Sequence, residues 1–275
     1  VPITFCILRD INFITIFKMK NLFFLSFLLV SSLSFGQIMV LFEADTPDKN
    51  NMAEVAQNWF GAVKAVSGDD NGITMHHKGW ASTSVYFTWW YDSLKDMAEN
   101  IEKQESMNNK VMEYLGANPT DPELVQKFNS ITDPRQNSVW EYVPELSQMD
   151  DFMALPKEER DQMQYRRFQY INVAMNAEGA YIDHQKKAYA IDEKRGVKYH
   201  VAVFKNVFGG KDSNYLSIII DKNRLEYMSN FTERMRVRRE SPDWGKNANP
   251  WDLTKYNVIK TDEIFKILKF STSSK

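Results

Sequence analysis

The sequence predicts an α+β protein built from two fused βαββαβ repeats. The first observation is an internal repeat, because the segment 84–92 (SVYFTWWYD) has a counterpart at 213–221 (SNYLSIIID), 129 residues further along the chain. Serine, tyrosine, a small hydroxyl residue, three large apolar residues and aspartate recur in the same order. The second observation is that strand-like and helix-like stretches follow one another in the same order around both copies. The third is that the repeated strands are apolar on both faces.

The first half contains four predicted strands and two main helices. Its first helix is predicted over 52–66, where the apolar residues fall on one helical stripe. A shorter helix is predicted at 121–128, which opens with the helix-start pattern Asp-Pro-Glu. The other elements of this half are strands at 38–43, 73–80, 82–91 and 138–143 and a helix at 94–115.

The second half repeats this order after a charged helical connector at 156–164. A helix over 180–195 ends at Gly196, and a loop with two adjacent glycines separates the middle strands. The predicted strands are 167–175, 199–204, 215–220 and 264–270, and the second helix is 225–235.

This order of elements is that of the split βαβ, or ferredoxin-like, unit. A single unit of this kind covers one sheet face with helices and leaves the other face open, and an open face favours strands that alternate apolar with polar residues. The strands here do not alternate. We therefore expect the two antiparallel sheets to pack face to face with the helices outside. The expected boundaries are repeat 1 at 37–147, a helical connector at 148–165 and repeat 2 at 166–275.

The duplicated pattern resembles the dimeric α/β-barrel superfamily in its single-chain form, over about 38–146 and 167–270. That group includes small monooxygenases, haem-handling relatives of chlorite dismutase and stress-related barrels. The resemblance implies that haem or an aromatic substrate occupies the space between sheet and helices, and it leaves a homodimer open. It carries over no catalytic residue, since no catalytic signature of those families is present.

A secretory leader is predicted at 19–36. Lys20 supplies the positive start, the 14 residues 22–35 are apolar or small, and Ser34 and Gly36 place small residues at positions −3 and −1 of a cut before Gln37. A membrane anchor is the alternative, but a spanning helix needs about 20 apolar residues. Leader removal implies an exported protein, periplasmic or extracellular, with no transmembrane anchor.

Residues 1–18 are best explained by a start site assigned too early, with Met19 as the first residue. The one cysteine, Cys6, lies in this segment. The mature chain is therefore expected to lack disulfides and to depend on its core for stability.

Charge and motifs exclude several function classes. The net charge of −2 does not indicate a nucleic-acid binder. The sequence contains no GxSxG, phosphate-binding glycine loop, HExxH or CxxC motif. The densest basic run, RMRVRR at 234–239, has two interpretations. It binds an anionic lipid or a carboxylated ligand, or it is a solvated helix end, which is the simpler interpretation.

Three histidines are candidate ligand-binding residues: His76, His184 and His200. His76 and His200 fall in the second strand of their halves, and His184 lies on a helix. A histidine beside the barrel pocket is suited to act as an axial haem ligand or a general base. The alternative is that all three are surface or hydrogen-bonded core residues. No metal site is predicted, because the neighbours His76 and His77 point to opposite faces of a strand.

Aromatic residues supply the other candidates. Tyr86 and Tyr215 occupy equivalent positions of the repeat and are expected to line the barrel interior together, and Trp90 belongs to an aromatic-rich hairpin. Aromatic walls suit a flat apolar ligand or a sugar ring. Sheet packing or a dimer contact is the simpler alternative.

The sequence thus favours an exported protein that binds a small aromatic or apolar ligand. Two alternatives stay open. One is a haem-using or cofactor-free oxidative enzyme of the α/β-barrel type, for which haem is the candidate cofactor. The other is an envelope or extracellular interaction protein without catalysis, which predicts an apolar outer patch centred on the tryptophans.

Overall fold

The computed structural model of the chain describes residues 37–68, 73–79, 82–117, 133–197, 199–209, 213–244 and 256–269. In these ranges the fold is α+β, and the strand pairs with a determined register are antiparallel. The strands are β1 (Ile38–Asp45), β2 (Thr74–Lys78), β3 (Ser84–Tyr91), β4 (Asp133–Tyr142), β5 (Tyr165–Val173), β6 (His200–Gly209), β7 (Tyr215–Asp221) and β8 (Tyr256–Lys269). The helices are α1 (Lys49–Ser67), α2 (Leu94–Ala117), α3 (Asp150–Ala154), α4 (Lys157–Gln162), α5 (Glu178–Lys194) and α6 (Arg224–Glu240).

The described residues divide into two compact units. Unit 1 takes in the residues up to His76, those from Ser82 to Asn137, and those from Leu268 onward. Unit 2 takes in His77 to Gly79 and the residues from Ser138 to Ile267. None of the helices in the described ranges combines the length and the apolar character that a membrane crossing requires.

Unit 1 packs α1 against the strand pair β1–β3. The Asp48 carboxylate begins α1 by accepting hydrogen bonds from the backbone N–H groups of Asn50 and Asn51, and Gly68 ends the helix with a φ of 74°. The buried helix residues Met52 and Ala56 then meet one face of the sheet. That face carries Phe42, Ala44, Val85, Phe87 and Trp89.

The opposite face of the unit 1 sheet is also buried. Tyr86 and Thr88 of β3 are 0% and 2% exposed, and Met39 and Leu41 of β1 are buried beside them. This confirms the prediction that both faces of the repeated strand are covered.

Unit 2 has the strand order β8-β5-β7-β6-β4. Its last four strands in sequence, β5 to β8, thus lie in the order fourth, first, third, second, which is the ferredoxin-like order. Strand β7 is buried along its whole length. Its residues Tyr215 and Ile219 face α5 and α6, together with Ile171 and Val173 of β5, in a core that also holds Tyr181 and Tyr227. The helix-facing core of unit 2 is therefore rich in tyrosine.

Most elements agree with the sequence prediction to within a few residues, and four differ at one end. Strand β4 begins at Asp133 and β8 at Tyr256, earlier than predicted. Strand β6 ends at Gly209 and helix α6 at Glu240, each five residues later than predicted. The start of β8 escapes pattern recognition because the stretch 257–263 is largely polar and its Asp262 is buried by ion pairs with Lys78 and Lys260. Residues 1–18, the leader at 19–36 and the helix at 121–128 lie outside the described residues. The repeat boundaries and the face-to-face packing of the sheets stay predictions.

Candidate functional site

A cavity of about 50 Å³ lies inside unit 2, between the sheet and the helix pair α5–α6. Its wall is formed by side chains of β5, β7 and β8 on the sheet side and of α5 and α6 on the helix side. A buried water needs about 10–15 Å³ of such space, so the cavity has room for about three to five waters or a small ion. The polar side chains of this wall include Gln169, His184, Tyr199, Ser217, Tyr227 and Arg234.

The strand and helix periodicities bring these side chains together. Alternate residues of β7, Ser217 and Ile219, point to the same face of the sheet as Gln169 and Ile171 of β5. On α5, Tyr181, Gln185 and Tyr189 recur every four residues and therefore form one stripe over that face.

Tyrosines make up much of the wall. The ring of Tyr181 lies 4.8 Å from that of Tyr215, and the ring of Tyr227 lies 6.0 Å from that of Phe231. Burial raises the pKa of the Tyr189 hydroxyl well above its ordinary value and also raises the pKa of Tyr227. Both phenols are therefore neutral at physiological pH and keep a proton to donate.

A buried arginine, Arg234, contributes the cavity's positive charge. The residue is 3% exposed, and its guanidinium carbon lies 3.3 Å from the centre of the Tyr199 ring, in cation–π contact. Its Nε donates to the backbone oxygen of Asn230 at 3.4 Å. Within the described part of the chain, no carboxylate lies at salt-bridge distance from it.

A second buried arginine is fully paired. Arg238 donates from Nε to Asp192 Oδ1 at 2.9 Å and from Nη2 to Asp192 Oδ2, and Asp192 is 0% exposed. Burial lowers the pKa of Arg238, but hydrogen bonds and charge from Asp192 outweigh burial and raise it. This pair ties α6 to α5 at one end of the cavity.

The structure divides the basic run RMRVRR between two faces of α6. Arg236 and Arg239 are exposed, and Arg236 pairs with Glu233 and Glu240. Arg234 and Arg238 are buried, so the expectation of a solvated helix end is wrong for them. The reason is the 100° rotation per residue of an α-helix, which puts positions 234 and 238 on the face opposite to 236.

Of the six predicted ligand-binding residues, His184 lines the cavity and Tyr215 lies directly behind it. The His184 ring packs edge-on against Trp244 at 5.1 Å. The Tyr215 hydroxyl donates to Glu178 at 2.6 Å, and burial followed by this hydrogen bond raises its pKa. His200 neighbours Val201 of the helix-facing core and therefore points to the other face, where its ring lies 5.7 Å from Phe152.

The other three predicted residues belong to unit 1. His76 Nε2 is hydrogen-bonded to Thr88 Oγ1 at 3.0 Å, Tyr86 is buried, and Trp90 is 43% exposed. Tyr86 faces away from α1, whereas Tyr215 faces α5. The two tyrosines therefore face differently with respect to the helices of their own units, although they hold the same position in the repeat. That they line a common interior stays a prediction.

Haem does not fit these residues. Cofactor-sized pockets have volumes of about 300–1,000 Å³, far above the 50 Å³ found here, and a buried arginine and tyrosines occupy the space. Among the described residues there is also no group of three histidine, cysteine or acidic side chains placed to hold a metal ion.

Sequence reasoning missed Tyr189, Tyr199, Tyr227 and the role of Arg234. The available signal was the spacing of four between Asn230, Arg234 and Arg238, which places the three on one face of α6.

The comparisons with known proteins show structural likeness alone. No protein-family model and no curated protein matches the chain. A candidate monooxygenase from Lactobacillus acidophilus is 10% identical with a TM-score of 0.45, covering 86% of this chain and 95% of that one. An anthrone oxidase-like protein is 14% identical with a TM-score of 0.46, covering 86% and 94%. A mutant chlorite dismutase from Candidatus Nitrospira defluvii is 9% identical with a TM-score of 0.44, covering 85% and 92%. Likeness of this size carries no argument about family or function.

Proposed function

We propose that this chain is a binding protein for a small ligand, which occupies the cavity between sheet and helices in unit 2. The observation that carries the proposal is the cavity itself. Protein interiors leave few voids larger than a water molecule, and a polar void that holds a charged side chain must be occupied by water or by a ligand. Arg234, Ser217 and Gln169 converge on this void.

The cavity's size narrows the ligand. An engineered cavity of about 150 Å³ in another protein holds benzene, so a space of 50 Å³ excludes an aromatic ring unless side chains move. The part of the ligand that enters therefore has only a few non-hydrogen atoms. The aromatic ligand expected from the sequence would require displacement of the tyrosine walls.

Two further parts of this proposal come from the sequence. They are the arrangement as duplicated ferredoxin-like repeats with facing sheets, and export after cleavage before Gln37. The oxidative enzyme without cofactor and the interaction protein stay predictions from the sequence.

Methyl NMR of protein labelled at its methionines tests the binding proposal. Met235 lines the cavity, whereas Met228 on the same helix is 46% exposed and serves as an internal reference. Acetate and its neutral analogue acetamide are titrated as probes. We expect at least one probe to shift the Met235 signal saturably and to leave the Met228 signal unmoved.

The matched control fills the cavity. Ser217→Leu places a larger side chain in the void, and Val258→Phe does so from β8 should the first variant fail to fold. Either folded variant is expected to lose the shift. If neither probe moves the Met235 signal in the unmodified protein, or if a filled cavity leaves the shift intact, the proposal is wrong.

A further inference from the structure

We propose that the cavity selects short-chain monocarboxylates and that Arg234 is the residue that anchors the carboxylate. This inference rests on the proposed function and names the class of its ligand.

Arg234 is a cationic side chain that is 3% exposed and has no carboxylate at ion-pair distance among the described residues. Removing a charge from water is unfavourable unless a counter-charge in contact with it compensates the loss. The Tyr199 ring offsets part of this cost through cation–π attraction. An anion in the cavity would supply the rest.

The carboxylates Asp192, Asp221 and Glu263 have other partners. Asp192 binds Arg238 with both oxygens. Asp221 accepts a hydrogen bond from Asn230 at 2.8 Å and acts on Arg234 only at longer range. Glu263 accepts from Tyr165 at 2.6 Å and lies 3.4 Å from Arg224. Among the described residues, therefore, no acidic side chain lies in ion-pair contact with Arg234, and Asp221 attracts it only from a longer distance.

The Arg234 guanidinium keeps an edge of N–H donors that have no hydrogen-bond partner among the described residues. An arginine has five N–H donors, and the Nε bond to Asn230 is the one hydrogen bond that Arg234 makes within the described residues. The ring of Tyr199 covers a flat face, which leaves the edge that bears the remaining N–H groups. A carboxylate matches that edge with two parallel hydrogen bonds, which a point anion such as chloride does not.

The size and character of the remaining wall suit a small carboxylate. The cavity of 50 Å³ is about one third of the roughly 150 Å³ that holds benzene in another protein, so it has room for a carboxylate with a short carbon body and excludes an aromatic ring. Ser217 and Gln169 offer hydrogen-bonding groups beside the apolar Ile171 and Ile219. Because the wall's Tyr189 and Tyr227 stay neutral, they do not repel an anion.

The test compares acetate with acetamide in buffer free of other carboxylates, read by the Met235 methyl signal and by calorimetry. Arg234→Met removes the anchor and keeps an apolar stem, Arg234→Lys keeps the charge without the fork, and Arg236→Met removes an exposed arginine of the same helix. We expect acetate affinity to fall about tenfold or more in Arg234→Met, to fall less in Arg234→Lys and to stay unchanged in Arg236→Met.

The outcomes separate this inference from the proposed function. If Arg234→Met still binds acetamide but no longer binds acetate, the result supports both the ligand cavity and the carboxylate assignment. Equal binding of acetate and acetamide, or acetate affinity that is unchanged in a folded Arg234→Met protein, overturns the carboxylate assignment but leaves a ligand cavity. Absence of binding by either probe overturns the proposed function itself. Folding of each variant is checked by circular dichroism, and Arg234→Lys replaces Arg234→Met if the latter does not fold.

Discussion

Breaking the Asp192–Arg238 pair by removing one partner is predicted to destabilise the protein far more than replacing both partners. Asp192 is fully buried near the end of α5, and Arg238 is 7% exposed near the end of α6. Asp192→Asn keeps the shape of the side chain and removes its charge. It therefore leaves the Arg238 guanidinium buried without a counter-ion.

The magnitude follows from burial. Loss of one partner of a buried ion pair costs about 3–5 kcal/mol, because the remaining charge keeps its desolvation penalty and loses its compensation. That is a large share of the free energy of unfolding of a typical domain, about 5–15 kcal/mol. The double replacement Asp192→Leu/Arg238→Met leaves no charge behind. It is expected to cost less than about 2 kcal/mol relative to the unmodified protein, or to stabilise it.

Urea unfolding at pH 7, followed by tryptophan fluorescence and by circular dichroism, measures these differences as shifts in the transition midpoint. Arg236→Met, which removes two exposed ion pairs on the same helix, is the control and is expected to leave the transition midpoint nearly unchanged. If Asp192→Asn costs no more than this control, the pair does not hold α5 to α6. An additive loss in the double variant would also refute the reasoning.

Three other predictions concern pH, cofactor and processing. Burial raises the pKa of Asp221 from 3.8 to about 6, so the folded state holds its proton more tightly than the unfolded state and stability from this group falls as pH rises from 3.8 to about 6. Asp221→Asn is expected to remove that fall, so that its midpoint in urea gains on the unmodified protein through this window; a constant offset would contradict the assignment. Haem added to the purified protein is expected to give no saturable shift of the Soret band, because the 50 Å³ cavity is too small for haem. A saturable shift that is lost in His184→Ala would support the haem alternative instead. Mass spectrometry of the exported protein from a bacterial host is expected to find Gln37 at the N-terminus, whereas an N-terminus at or before Met19 would contradict cleavage of the leader.

The sequence patterns revealed the elements well where burial decides the residue types. The strand that repeats at 84–92 and 213–221 is apolar on both faces, and residues 84–89 and 215–221 are buried on both faces in the structure. Helix α1 was recognisable from its apolar stripe and α5 from the glycine that ends it. These features depend on local periodicity, which a single sequence carries.

The site was harder to predict because it depends on contacts between distant residues. A run with four arginines suggests a solvated surface, and only the packing of α6 on α5 and on the sheet shows that Arg234 and Arg238 point inward. Tyr86 and Tyr215 hold the same position in the repeated sequence, yet Tyr86 faces away from α1 whereas Tyr215 faces α5. The sequence pattern indicated only the apolar part of strand β8. Its polar part includes Asp262, which is buried because it pairs with Lys78 of β2 and Lys260 of β8 itself.

A crystal structure of the protein soaked with propionate tests the central claim most directly, because it shows whether the cavity of unit 2 receives a small carboxylate. The account predicts propionate density between the sheet and α5–α6, with both carboxylate oxygens within hydrogen-bond distance of the Arg234 guanidinium. Density for water alone in that space, or propionate bound elsewhere while Arg234 acquires a protein carboxylate as partner, would contradict it.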